Sequence, residues 1–471
     1  MDIISRIGIA SLAGLLTLPL PARADMEQGR KIYQEYCATC HGEKLEGGLG
    51  SSFTDHIWNY GAQAEQISRN VKFGLPDLEM PPWKDNLTDD DIKSVVGYIM
   101  SQEKKSKLSK PEIASHITTE LYNLRVDILD QSLVDPWAIA FISENKALVT
   151  DRPGKIYLML NGVIQKDAVK DTPDDIAYGG QGGLLDLVLD PDYGDNGWIY
   201  LSYSHALGRG SLFRTKSMTR IVRGRIKDGH WVDQQVLFQA PEEYYTTSGR
   251  HFGSRITFDD RGRLYFSVGD RGDRDQAQDL SRPNGKIHRI NRDGTIPDDN
   301  PFVGQDGAMA SIFSYGNRNP QGLATHPVTG EIWAAEHGPR GGDELNHIRA
   351  GRNYGWPVIT FGINYIGTTI SEYTEKPGME QPVIHWTPSI AVADIDFQGG
   401  KMFPEWQNNL LVTSLKYRDF RRLVIEGDKV THQEILLKDM GRVRSITVSP
   451  AGALYLLMVD PSLILRLTPK Q

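Results

Sequence analysis

Cys37 and Cys40 are the only two cysteines in this 471-residue chain, and His41 follows the second directly. Two thiols at this spacing on a helix can add across the two vinyl groups of one haem, and the adjacent imidazole then lies under the iron as an axial ligand. A tetrahedral zinc site would need a second ligand pair, and no cysteine remains to supply one. A dithiol redox pair has no need of the trailing histidine and normally sits at a strand-to-helix turn. The motif therefore predicts a covalent haem c with His41 on the iron. Roughly forty residues on, Met80 stands in Glu79-Met80-Pro81-Pro82-Trp83, held by prolines. A lone methionine is often core filler, but a thioether raises the potential of haem iron, and Met80 is the expected sixth ligand. Met26, at the mature terminus, and Met100, on the last helix, are poorer candidates.

A second set of polar residues is scattered over the rest of the chain. Gln181, His251, Arg318-Asn319, Gly338-Pro339, Lys416, and Arg442 with Arg444 all fall in turns or between short apolar runs. Singly they read as surface arginines, a satisfied histidine and a Gly-Pro turn. Together, one lysine and three arginines suit a polyanionic ligand. Arg442 and Arg444 flank Val443, so on a strand both point to the same side.

The elements that must carry these residues fall into two classes. From Met26 to about Gln102 the pattern is helical. Thr88 is a good N-cap, Asp89, Asp90 and Asp91 suit the first turn, and Ile92, Val95, Val96 and Ile99 follow at helical spacing. These features resemble the class I cytochrome c fold. A lysine- and serine-rich stretch with Pro111 follows and reads as a linker. Beyond it, an apolar strand end, a polar turn and a short apolar-aromatic strand recur six times, at 143–149, 195–201, 260–266, 329–334, 406–412 and 451–456. Six copies at about sixty residues each match one four-stranded blade apiece. The expected fold is mainly β, a six-bladed β-propeller behind an all-α cytochrome domain. An early strand near Leu121–Asp130 should close the ring against the last blade. A β-sandwich would not explain six similar hairpins. The divisions are a leader at 1–24, cytochrome at 25–103, linker at 104–118 and propeller at 119–471.

Composition agrees. Forty-seven glycines and 25 prolines suit a turn-rich β protein, and a net charge of -8 gives no basic surface for nucleic acid. Arg6, an apolar run from Ile7 to Leu20 and Pro21-Ala22-Arg23-Ala24 read as an export signal cleaved before Asp25. About fourteen apolar residues are too few to span a bilayer, and no later stretch approaches that length, so a periplasmic protein without a membrane span is expected. With both cysteines on haem, no disulfide is expected.

Several longer blocks carry a family resemblance. Gly179-Gly180-Gln181-Gly182-Gly183-Leu184-Leu185, Arg250-His251-Phe252-Gly253, 314–322, 336–344, 353–357 and Gly441-Arg442-Val443-Arg444 resemble the PQQ-dependent soluble glucose and aldose sugar dehydrogenases. Phe361-Gly362-Ile363-Asn364-Tyr365 is closer to the aldose enzymes. The resemblance implies PQQ, a quinone with three carboxylates, at Arg318, Asn319, Lys416, Arg442 and Arg444. It implies one calcium on the carbonyls of Gly338 and Pro339, and a second on Glu344 and the Tyr354 carbonyl. It makes His251 the base that removes the C1 hydroxyl proton of a sugar while hydride passes to the quinone. Gln181 would bond the sugar, and Trp386 would wall the pocket.

Two positions depart from the pattern: Arg250 stands where the glucose enzyme has an acidic residue, and Ala393-Asp394 replaces a small pair that lines the site. The combined expectation is a quinohaemoprotein that oxidises an aldose to a lactone. Electrons would leave through its own haem to an external acceptor, a small cytochrome or a copper protein. The rivals are a calcium-dependent propeller hydrolase or lactonase, and a non-catalytic binding propeller joined to an independent electron carrier.

Overall fold

The computed structural model describes residues 23–48, 50–54, 64–75, 80–105, 113–208, 215–365, 367–438 and 440–470. The expected leader lies outside the described residues, apart from Arg23 and Ala24. The first helix, Arg23–Ile32, runs through a wider π-type turn at Tyr33–Cys37 into Ala38–His41. Such turns recur at functional sites, and this one ends on Cys37, with Cys40 and His41 in the turn that follows. Gly29 lets the first helix cross the last closely, because a Cβ there would lie 2.1 Å from the Ser94 carbonyl oxygen. The last helix, Asp89–Lys105, starts on a reciprocal cap, with Asp91 N–H donating to Thr88 Oγ1 and Thr88 N–H to Asp91 Oδ2. Its Ile92, Val95, Val96 and Ile99 are all buried, each contributing roughly 1.5–3 kcal/mol of apolar burial. They share a core with Ile32, Tyr33, Cys37, Ile67 and Trp83 that contains no propeller residue.

Six sheets follow. Four-stranded blades begin at Pro136, Leu184, Ile256, Pro320 and Val392, and the sixth begins at Arg442. The sixth is completed by the N-terminal strand Asn123–Asp130, which pairs antiparallel with the C-terminal strand Ser462–Pro469, and by His116–Thr118 beyond it. This closure joins the two ends of the ring. Each of the six repeats proves to be the connection between the innermost and second strand of one blade. The linker is shorter than its expected 104–118 span: the helix continues to Lys105, and His116 is already in the sheet. Lysine and serine content could not reveal that the helix runs on or that His116–Thr118 finds an edge to pair with.

Blade topology decides where chemistry can collect. In an antiparallel blade, the entry to the first strand and the connection between the second and third lie at the same end. Gln181, His251, Arg318-Asn319 and Arg442 immediately precede or begin innermost strands, while Gly338-Pro339 and Lys416 lie in connections between second and third strands. All six groups therefore meet at one mouth, and the repeated hairpins occupy the other.

Candidate active site

His251 sits 3% exposed with φ of 54°, a left-handed conformation uncommon outside glycine. Its backbone N–H donates to Gln181 Oε1 at 2.8 Å, and Gln181 N–H donates to the Gly249 carbonyl at 2.7 Å. Gln181 thus braces the loop that carries the imidazole. His251 Nδ1 lies 2.5 Å from Asp270 Oδ1, which also accepts from Gly272 N–H at 2.7 Å. Asp270 Oδ2 accepts from the indole of Trp356 at 2.9 Å. Burial would raise the Asp270 pKa, but the facing His251, Arg318 and the Gly272 bond prevail and hold it below the usual carboxylate value. A carboxylate at this place fixes the proton on Nδ1 and leaves Nε2 as the basic nitrogen. Sequence reasoning missed Asp270 and Trp356. Asp270 lies two residues beyond the strand Leu264–Val268, which pairs with the strand that follows His251's loop, a proximity that pairing creates and spacing does not announce.

The cations gather at the same mouth. Arg318 donates through Nη1 to the carbonyls of His337 and Gly338, both at 3.1 Å, and its own carbonyl accepts from Asp270 N–H at 2.7 Å. Asn319 Oδ1 accepts from Gly253 N–H at 3.1 Å and from Gln321 Nε2 at 3.3 Å. Arg444 Nη1 donates to Gln321 Oε1 at 2.9 Å. Burial, opposed by Asp135 and reinforced by Arg442, Arg152 and Arg255, depresses the Arg444 pKa. Burial likewise lowers that of Lys416. Cations that destabilise one another at one mouth are what a multiply charged anion would relieve, so these residues fit PQQ.

Oxygen donors gather beside them. Asp343 holds the Gly338 loop closed, with Oδ1 accepting from Gly338 N–H at 2.9 Å and Oδ2 from Val392 N–H at 3.0 Å. Glu336 and Glu344 are directly opposed partners on adjacent strands and line one small cavity with Gly338 and Tyr354. Burial pushes both carboxyls up, and repulsion by Glu336 adds to the rise at Glu344. The Oδ1 atoms of the buried Asn317 and Asn346 find no hydrogen-bond partner among the described residues. No cluster of three His, Cys, Asp or Glu side chains able to hold a metal occurs among the described residues. Two carboxylates, amide oxygens and carbonyls nevertheless make a donor set suited to a hard cation such as calcium. Glu336 was not singled out from sequence, although it stands two residues before Gly338.

Two expectations are corrected. Trp386 packs between blades beside Leu345, Ile390 and Leu423, with its indole N–H on Gln433 of an outermost strand at 3.0 Å. Interblade burial claims that ring in place of a pocket wall. Asp394, expected to line the site, is 3% exposed, accepts from Ser445 Oγ at 2.6 Å and pairs with Arg255 at 3.2 Å. It belongs to the polar lining of the central channel, because its strand is innermost. Arg250 keeps its departure: its Nε is buried, has no hydrogen-bond partner among the described residues and lies near Gly272.

In the helical domain, His41 Nδ1 lies 2.8 Å from the Ser51 carbonyl, an orientation that directs Nε2 to a metal. Phe53 stacks on the His41 ring at 4.3 Å. Cys37 and Cys40 lie on one helical segment and are not bridged to each other. Met80 pairs with Leu75 through both backbone groups and packs against the cluster containing Cys37 and Trp83. These residues fit a covalent haem.

The family profile described as glucose/sorbosone dehydrogenase matches residues 133–466, and that of the cbb3-type cytochrome c oxidase subunit III matches 24–99. The aldose sugar dehydrogenase YliI of Escherichia coli is 40% identical over 354 residues, spanning 74% of this chain and 93% of its own. Cytochrome c55X of Paracoccus denitrificans is 32% identical over 92 residues, 20% of this chain and 88% of its own. The PQQ-bound aldose sugar dehydrogenase of Streptomyces coelicolor superposes with a TM-score of 0.59 at 25% identity, covering 75% of this chain and 100% of that structure.

Proposed function

The chain belongs to the glucose/sorbosone dehydrogenase family, and from that premise we propose that its propeller is a PQQ- and calcium-dependent aldose dehydrogenase whose electrons leave through its own haem c. One observation carries this reading: a histidine oriented by a buried carboxylate stands at the same mouth as Arg318, Lys416, Arg442 and Arg444.

Arg318, Asn319, Lys416, Arg442 and Arg444 would hold PQQ, which supplies a two-electron hydride acceptor when bound. The carbonyls of Gly338 and Pro339 would hold a calcium beside it, and Glu344 with the Tyr354 carbonyl a second. The remaining work falls to the chain's own groups. His251 Nε2 takes the proton from the C1 hydroxyl, and Asp270 stabilises the imidazolium that results. Trp356 and Gly272 hold Asp270 in place by donating to it. Gln181 commits its carbonyl oxygen to the His251 backbone, so its amide nitrogen is the group to meet a sugar hydroxyl. A lactone is the product of a cyclic aldose that loses hydride at C1 and this proton. The leader implies a periplasmic site of action, and a small cytochrome or copper protein is the acceptor to be expected there.

A hydrolase on this scaffold would centre side-chain carboxylates on a metal and have no use for a cationic mouth or a haem. A binding propeller with a separate carrier would have no use for the His251–Asp270 pair. Purified chain carrying haem, loaded with PQQ and calcium and mixed with a panel of aldoses, should reduce its haem. His251→Ala should bind PQQ and fail to reduce it. PQQ bound with no aldose oxidised, whether followed by haem or by an added dye, would refute the proposal.

A further inference from the structure

Two arginines of the mouth reach out of their own domain. Arg418 Nη1 donates to the Glu46 carbonyl at 3.1 Å, and the Arg442 guanidinium donates to the Gly48 carbonyl. Both acceptors lie in the segment that leaves the haem motif, and this segment is tied back onto the motif. Gly47 N–H donates to the His41 carbonyl at 2.8 Å, Gly48 N–H to the Gly50 carbonyl at 2.9 Å, and Gly50 N–H to the Cys40 carbonyl at 2.9 Å. A Cβ on Gly48 would stand 2.8 Å from the Cys40 carbonyl oxygen and 3.6 Å from Lys416 Cγ. The backbone at Gly48 is therefore pressed between a haem-bearing cysteine and the propeller, and only a residue without a side chain is thin enough for that place.

We propose that Glu46–Gly48 is the docking element through which the haem domain seats on the cofactor mouth, with Arg418 as its anchor and Arg442 shared between the loop and the cofactor. This rests on the reading of the mouth as a PQQ site. Arg442 and Lys416 belong to the set that would hold PQQ, whereas Arg418 belongs to neither cofactor's set and acts by positioning alone. Hydrogen bonds lead from Arg442 to Gly48, from Gly48 to Gly50 and from Gly50 to Cys40, so the two redox sites are joined through bonded contacts without an intervening gap of solvent. The balance is simple. Each sugar oxidised releases two electrons and two protons. Each electron converts one ferric haem to ferrous, the hydroxyl proton leaves through His251, the hydrogen carried as hydride would be released to water as a proton once the quinone gives up its electrons, and an external one-electron acceptor reoxidises the iron between transfers.

The test uses the full chain with Arg418→Glu and Arg418→Lys. Without PQQ, small-angle scattering should show a larger radius of gyration for Arg418→Glu than for wild type, and Arg418→Lys should restore the compact value. With PQQ, calcium and haem in place, single-turnover haem reduction by sugar should slow about tenfold in Arg418→Glu. That is the scale expected from losing one charge-assisted hydrogen bond and placing a like charge beside Glu46. Sugar oxidation followed with a small diffusible dye should stay at the wild-type rate, because the dye does not need the haem. Unchanged scattering and haem reduction in Arg418→Glu would overturn the proposal, as would an equal loss in the dye assay, which would make Arg418 part of the propeller's own architecture. Wild type unable to oxidise any sugar with the dye would sink the functional reading instead, and scattering would still decide the docking.

Discussion

Asp270→Asn changes one atom in the core of the mouth and separates orientation of the base from its presence. Asp270 is 1% exposed, and its two oxygens accept from His251 Nδ1, Gly272 N–H and Trp356 Nε1. All three partners donate, so an ionised carboxylate satisfies them and an amide cannot. If the asparagine oxygen faces His251 and Gly272, its NH2 confronts the Trp356 N–H. If the oxygen faces Trp356, the NH2 confronts Gly272 and turns His251 into the tautomer that carries its proton on Nε2. The first arrangement leaves one buried donor unpaired, about 1–3 kcal/mol, and removes the charge that stabilises the imidazolium, a further 1.5–3 kcal/mol. The second abolishes the lone pair the reaction uses and has as its ceiling the loss of general-base catalysis, about 10²–10⁴ in rate. Both lead to the same expectation: kcat with a dye acceptor falls by about 10²–10⁴. KM changes little, since Asp270 is assigned no contact with sugar. PQQ affinity, measured by fluorescence titration, should hold, because the cationic set is intact. A kcat within threefold of wild type, with PQQ bound, would show that Asp270 does not orient the base.

Two further outcomes test the electrostatics of the mouth. Arg444→Met removes a half-buried cation that its neighbours Arg442, Arg152 and Arg255 repel, so the PQQ-free chain should melt at a higher temperature while PQQ binds at least about tenfold more weakly; lower apo stability would refute the claim of uncompensated charge. Chelation of calcium should lower the melting temperature by a few degrees, since a ligand at 100 times its Kd stabilises by about 2.7 kcal/mol. Glu344→Gln relieves the repulsion with Glu336 and should shrink that shift, and a chelator effect of the same size in wild type and variant would place the ion elsewhere.

Much of this protein was legible as sequence because the signals are local. Covalent attachment of a haem would require the order Cys37, Cys40, His41, and helix geometry fixes the spacing of Ile92, Val95, Val96 and Ile99. Each blade must turn between its first two strands, which imprints the same polar hairpin six times. The functional blocks around Gln181, His251, Arg318 and Arg442 were readable for the same reason, each being one continuous loop. Tertiary structure decided what lies between loops. Asp270 meets His251 only because strand pairing folds one connection over another. Glu336 faces Glu344 only through antiparallel register. Trp386 and Asp394 were misplaced because sequence gives a residue's neighbours along the chain and not the blade face it enters; one ring went between blades and one carboxylate into the central channel. The contact of Arg418 and Arg442 with Glu46 and Gly48 joins residues more than 370 positions apart. Its acceptors are backbone carbonyls, which every residue possesses, so no side-chain pattern could have announced it.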